Sequence, residues 1–195
     1  MNMRDMLEQM DNRTLYLNLV LTQAILLVIG LSLYFFFLRH TLALPLLLHT
    51  EELFLSVLAG FGFAGVVLVI DLILMNFVPK TYFDDGGVNE RLFRDVNVWQ
   101  IVLIALGVAL VEEWLFRAVL QNMIGWFWAS LLFALIHFRY LHQWLYALLV
   151  IMISFGFGWL YEWTGSFWAV FTAHFTIDFT LGVILRYRLL PFPDK

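Results

Sequence analysis

Apolar residues fall in long blocks along this chain, broken by short polar stretches. A bilayer core about 30 Å thick asks for about 20 apolar residues per helix. The block from Leu15 to Leu38 meets that length and is followed by no small-residue cleavage site, so it predicts an uncleaved anchor. A second span is predicted from about Leu53 to Val78, and a third from Val98 to about Ala118. The fourth is predicted from about Met123 to His137 or a little beyond, the fifth over Trp144 to Trp163, and the sixth over Phe167 to Arg186. Leu42 to His49 is short and carries Pro45, which predicts a re-entrant or interfacial piece. Pro79 to Asn97 is the one extended polar segment. In it Asp84-Asp85-Gly86-Gly87 reads as a turn, and Val88, Leu92, Phe93 and Val96 recur at helical spacing. That pattern predicts a short amphipathic helix on the membrane surface.

Composition turns these blocks into a class. Of 195 residues, 63% are hydrophobic and 13% charged, where soluble domains run at about 45–50% and about 25%. The mean hydropathy is +0.86. A domain of this size leaves roughly 30% of its unfolded surface exposed, and here that surface would be greasy. A soluble enzyme and a disordered tail are excluded. The net charge of −4 offers no basic face to nucleic acid. The expected fold is all-α: a polytopic membrane bundle of about six transmembrane helices. There are no cysteines, hence no disulfide, thiolate nucleophile or cysteine zinc site.

Six spans place Arg4, Arg13, Lys80, Arg91, Arg94, Arg139, Arg186, Arg188 and Lys195 on one side, and only Arg39 and Arg117 on the other. The positive-inside rule then predicts a multi-pass protein of the cell membrane with both termini cytoplasmic. Residues 1–97 read as a transmembrane hairpin plus a cytoplasmic interfacial segment, 98–186 as a helical core, and 187–195 as a short tail.

Ionisable side chains inside spans cost roughly 2.5–3.5 kcal/mol each at mid-depth, so each is a functional candidate. The third span carries Glu112, Glu113 and Arg117, the fourth His137, and the sixth His174 and Asp178, four apart on one face. At 1.5 Å per residue, Glu112, Glu113, His137, His174 and Asp178 fall within roughly 10 Å of one level. Glu113 and Arg117, at i and i+4, also suit an intrahelical ion pair. Asp71, in the second span, has no motif around it and is read as structural or accessory.

Three segments carry a resemblance. Glu112-Glu113-Trp114-Leu115-Phe116-Arg117 fits E-E-x-x-x-R, Phe133-Ala134-Leu135-Ile136-His137 fits F-x-x-x-H, and His174-Phe175-Thr176-Ile177-Asp178 fits H-x-x-x-N/D. In this order, on successive hydrophobic helices, they resemble the CPBP (Abi-like) family of intramembrane proteases. That family includes the prenyl-protein (CAAX) endopeptidases and relatives linked to bacteriocin processing and self-immunity. The resemblance covers roughly 98–186, the family's four-helix catalytic core. It implies an intramembrane endopeptidase acting on a membrane-associated protein or peptide, with Glu112 as general base and His137 and His174 binding or orienting water. It also implies that Arg117 fixes Glu113 and that Phe133 walls the pocket. Glu112, His137 and His174 suit a divalent metal such as zinc, and the spacing equally fits a metal-free glutamate mechanism. Asp178 stands where an Asn amide is also allowed, so it is read as a protonated donor, a group orienting His174, or an extra ligand. H-E-x-x-H, a rhomboid Gly-x-Ser-Gly and a presenilin-like Gly-x-Gly-Asp are absent. The competing readings are a non-catalytic scaffold or self-immunity protein of the same fold, and a transporter with Asp71 in a polar path.

Overall fold

The computed structural model describes residues 10–49, 52–78, 82, 87–137 and 143–189. Among these the chain is helical, with no strand. Helix α1 spans Asn12–Leu33 and runs on as a π-helical turn, Tyr34–Leu38. Asp11 starts it, its carboxylate accepting from the Thr14 amide at 2.9 Å. A single turn, α2 (Leu44–Leu47), leads to α3 (Leu53–Phe77). The short α4 (Val88–Arg94) precedes α5 (Val98–Glu113). Asn97 and Gln100 form a reciprocal capping box at the start of α5. Without a break, α5 passes into a π-helix, Trp114–Gln121, and then α6 (Asn122–Ile136). Helices α7 (Trp144–Thr164) and α8 (Phe167–Tyr187) close the bundle, joined through Gly165 at φ +62°.

Among the described residues four helices are long and apolar enough to cross a membrane: Asn12–Leu38, α3, α7 and α8. They match the first, second, fifth and sixth predicted spans to within a few residues. The fourth span is shorter than its apolar run. Gly125 takes φ 82°, ψ 165°, so the chain reverses there and the helix after it covers only 126–136. Eleven residues rise about 16 Å, half of a bilayer core. Met123 and Ile124 belong to the turn side of this hairpin, and the fourth helix ends part-way down the bundle at His137.

The predicted short amphipathic helix is present as α4. The apolar side of α4 is covered by protein: Val88, Leu92 and Phe93 are buried in a cluster with Leu15 and Ile101. The Tyr16 hydroxyl donates to the Leu92 carbonyl at 2.9 Å, pinning α4 to the start of α1. At the opposite end Leu47 is buried against Trp114, Val119 and Phe167, and Leu42 and Leu48 pack on the same cluster. The expected turn at 84–86 lies outside the described residues.

Close helix contact sets the geometry of the core. Helix α3 meets α8 at Gly60, where a Cβ would sit 2.4 Å from the Ala169 carbonyl oxygen. Around that contact Ala64, Phe157, Leu160, Ala169, Val170 and Ala173 form the main core. Asp71 is buried on α3 and makes no hydrogen bond or ion pair with a described residue. Arg91 and Arg94 on α4 lie at the bundle end shared by Asn12 and Arg186, whereas Arg39 ends α1 at the other.

Candidate active site

The two adjacent carboxylates of α5 face different partners. Glu113 and Arg117 are fully buried, and Arg117 Nε lies 3.3 Å from Glu113 Oε2. The guanidinium is then satisfied by the α6–α7 contact. Its Nη1 donates to Ser130 Oγ at 3.2 Å, and its Nη2 to the Ser154 carbonyl at 3.1 Å. Ser154 Oγ donates back to the Ser130 carbonyl at 2.7 Å, clasping the two helices around the charge. Phe133 lies under the guanidinium, 5.0 Å from its carbon. The other oxygen, Glu113 Oε1, is 2.6 Å from His174 Nδ1. His174 Nε2 is 3.4 Å from Asp178 Oδ2, one turn on, and Phe157 stacks on the ring at 5.2 Å. An ionised carboxylate only accepts, so His174 donates at Nδ1 to Glu113.

Glu112 is held less completely. Its Oε1 accepts from Gln23 Nε2, on α1, at 3.0 Å. Its Oε2 is buried without a hydrogen bond and faces His137 Nε2 at 3.8 Å. His137 ends α6 with its Nδ1 2.8 Å from the Phe133 carbonyl, so Nδ1 carries the hydrogen and Nε2 points at Glu112. Phe133 stacks on the His137 ring at 4.7 Å and meets His174 edge-on at 6.1 Å, separating the two imidazoles. His137 and Asp178 keep 23% and 32% of their side chains exposed, while Glu112 keeps 7%; the site thus opens past them.

All seven residues singled out for the site therefore gather on α5, the π-helix that follows it, α6 and α8. Their pairing differs from one common centre: Glu112 goes with His137, and Glu113 with His174. Both ring nitrogens of His174 face carboxylates, so it does not join Glu112 and His137 around one point. Among the described residues no three His, Asp or Glu side chains are placed to hold a metal ion together. The donor set as arranged does not fit zinc. Asp178 meets the cluster through His174 Nε2, a contact made equally by a carboxylate orienting that ring and by a protonated donor.

Three residues were missed. Ser130 and Ser154 are common small residues in membrane helices and carry no spacing signal. Gln23 did carry one, being an amide midway along an otherwise apolar anchor. The π-helix itself was also unmarked. It begins at Trp114, immediately after both carboxylates, and such widened turns recur at functional sites. Asn122 closes it, its amide donating to the Arg117 and Ala118 carbonyls and to the Tyr161 hydroxyl.

The comparisons with known proteins bear on which class carries this cluster of buried charge. Residues 94–180 match the family model described as type II CAAX prenyl endopeptidase Rce1-like. This is the CPBP/CAAX protease family that the three motifs resemble, and the matched segment holds every residue of the cluster except Gln23. The chain is also 42% identical over 113 residues to "Uncharacterized protein YpbD" of Bacillus subtilis (strain 168). That stretch is 58% of this chain and 60% of the relative, so the chain spans under two thirds of the curated relative it matches. No solved structure matches.

Proposed function

We propose that this chain is an intramembrane endopeptidase that hydrolyses a peptide bond by glutamate-activated water. The observation that carries the reading is the buried, unbonded Glu112 Oε2 facing His137 Nε2 at 3.8 Å. A gap of that length is too wide for a direct hydrogen bond and suits one water oxygen touching both groups. Glu112 Oε2 takes a proton from the water as its oxygen attacks the peptide carbon, with His137 Nε2 fixing the water's direction. His174, as the imidazolium with its Nδ1–H held by Glu113, offers its Nε2–H to the developing oxyanion; its contact with Asp178 is long enough to be exchanged. Glu112 then returns the proton to the leaving amine as the C–N bond breaks. Arg117 is positioning: it fixes Glu113, which fixes His174.

The substrate is a membrane-associated protein or peptide, and the family match favours a bond near a prenylated C-terminus. The protein is multi-pass in the cell membrane with both termini cytoplasmic, a topology supported by the basic residues at the α1-start and α8-end side of the bundle. The test is cleavage of farnesylated and plain membrane-anchored peptides by purified protein in vesicles made with ¹⁸O water. One heavy oxygen at the new carboxylate is expected in the product, and Glu112→Gln should form that product roughly 10²–10⁴-fold more slowly. A Glu112→Gln protein that cleaves at the wild-type rate contradicts the reading. A folded wild type that cleaves neither peptide favours the scaffold or self-immunity role.

A further inference from the structure

Gln23 lies on α1, outside the family-matched residues 94–180, yet its amide is bonded to Glu112. The face of α1 that carries it is seated firmly. Gly30, two turns on, packs where a Cβ would come 2.9 Å from Trp114 Cδ1. Leu26 and Leu33, on the same face, pack against Leu115, Phe116 and Phe133. The amide therefore arrives at Glu112 on a fixed helix rather than at the end of a loose one. A carboxylate oxygen cannot donate, so the NH₂ side of the amide faces Glu112 and Gln23 Oε1 points away, buried and unbonded.

We propose that Gln23 is a positioning residue for the Glu112 carboxylate, which makes α1 part of the working site; this rests on the endopeptidase reading above. The bond to Oε1 fixes rotation of the carboxylate and leaves Oε2 turned toward His137. Without it the carboxylate turns freely, and the oxygen that takes the proton spends less time facing the water. A plain interhelical tie would give Gln23 the same hydrogen bond with no effect specific to the chemistry. The two roles differ in what happens once Glu112 can no longer act as a base.

The experiment measures kcat and KM for the cleaved membrane peptide in vesicles, with full-length wild type, Gln23→Met, Glu112→Gln and the double variant. Positioning predicts that Gln23→Met lowers kcat roughly tenfold or more, the effect of losing one hydrogen bond to a charged group, with KM unchanged. In the Glu112→Gln background the same change adds nothing to the loss, because residues acting as one unit are not additive. Equal losses in both backgrounds make Gln23 a structural tie and overturn the proposal. Gln23→Glu, of the same shape but with an acceptor for the donor, covers the case in which Met does not fold; it should lose at least as much. An unchanged kcat in either folded variant also overturns it. A wild type that cleaves nothing overturns the endopeptidase reading first and the positioning role with it, whereas an active wild type with indifferent Gln23 variants sinks the positioning role alone.

Discussion

Glu112 and Glu113 are neighbours on one helix and have opposite surroundings. Around Glu113 every strong group is matched: Arg117 and His174 take its two oxygens, and Ser130 and Ser154 complete the guanidinium. Around Glu112 one oxygen is bonded by Gln23 and the other is left facing an imidazole across 3.8 Å. A buried, satisfied network rigidifies a core, while a buried unsatisfied group costs stability and persists where chemistry uses it. On the proposed function, the Glu113 half acts as a brace and the Glu112 half as the working edge. Consecutive residues lie about 100° apart around a helix, which lets one turn of α5 serve both purposes.

The largest effect is expected on activity at the working edge. Glu112→Ala and His137→Ala should each lower cleavage by roughly 10²–10⁴-fold, and the double variant should lose little more than either. Multiplying losses would show that the two residues do not act together and would break the comparison at its open side. Next comes the stability of the brace. Arg117→Ala leaves Glu113 as an uncompensated buried charge and should cost about 3–5 kcal/mol of unfolding stability in detergent. Arg117→Lys should fail to restore it fully, since an ammonium cannot reach Glu113, Ser130 and Ser154 in one plane. A lysine variant as stable as wild type would mean that charge alone suffices. Smaller again is Ser154→Ala, which removes one hydroxyl from the α6–α7 clasp and should cost about 1–3 kcal/mol with the cleavage rate little changed. The smallest effect is expected from chelation. Because His174 is engaged by Glu113 and Asp178, removing divalent metal should leave the rate unchanged. A loss restored by added zinc would show that His174 leaves those partners to join Glu112 and His137.

The spans with long apolar blocks, such as Asn12–Leu38 and Leu53–Phe77, were legible because length and hydropathy together decide them. The fourth was overdrawn because its turn is made by Gly125 within Met123–Trp128, an apolar run with no polar marker. Hydropathy records composition and is blind to a reversal that only a positive φ produces. The covered face of α4 followed the helical period as read, but the period does not tell lipid from the chain's own Leu15 and Ile101. At the site, the six ionisable residues stand out by their cost inside apolar spans and the Glu113–Arg117 pairing by its i, i+4 spacing, while Phe133 enters only through the family resemblance. Which histidine meets which glutamate was not legible, since that depends on how α6 and α8 are rotated against α5. The Gln23 contact joins residues 89 positions apart, beyond any local pattern.

The division between brace and working edge is tested most directly by comparing Glu112→Gln with Glu113→Gln, each measured for cleavage rate and for melting in the same detergent. Glu112→Gln keeps the shape and removes the base, so cleavage should fall by roughly 10²–10⁴-fold while the melting temperature stays near wild type. Glu113→Gln removes the anion between Arg117 and His174, so its melting temperature should drop sharply. The reverse pattern, a stable Glu113→Gln protein beside a Glu112→Gln protein that cleaves normally, would contradict the account.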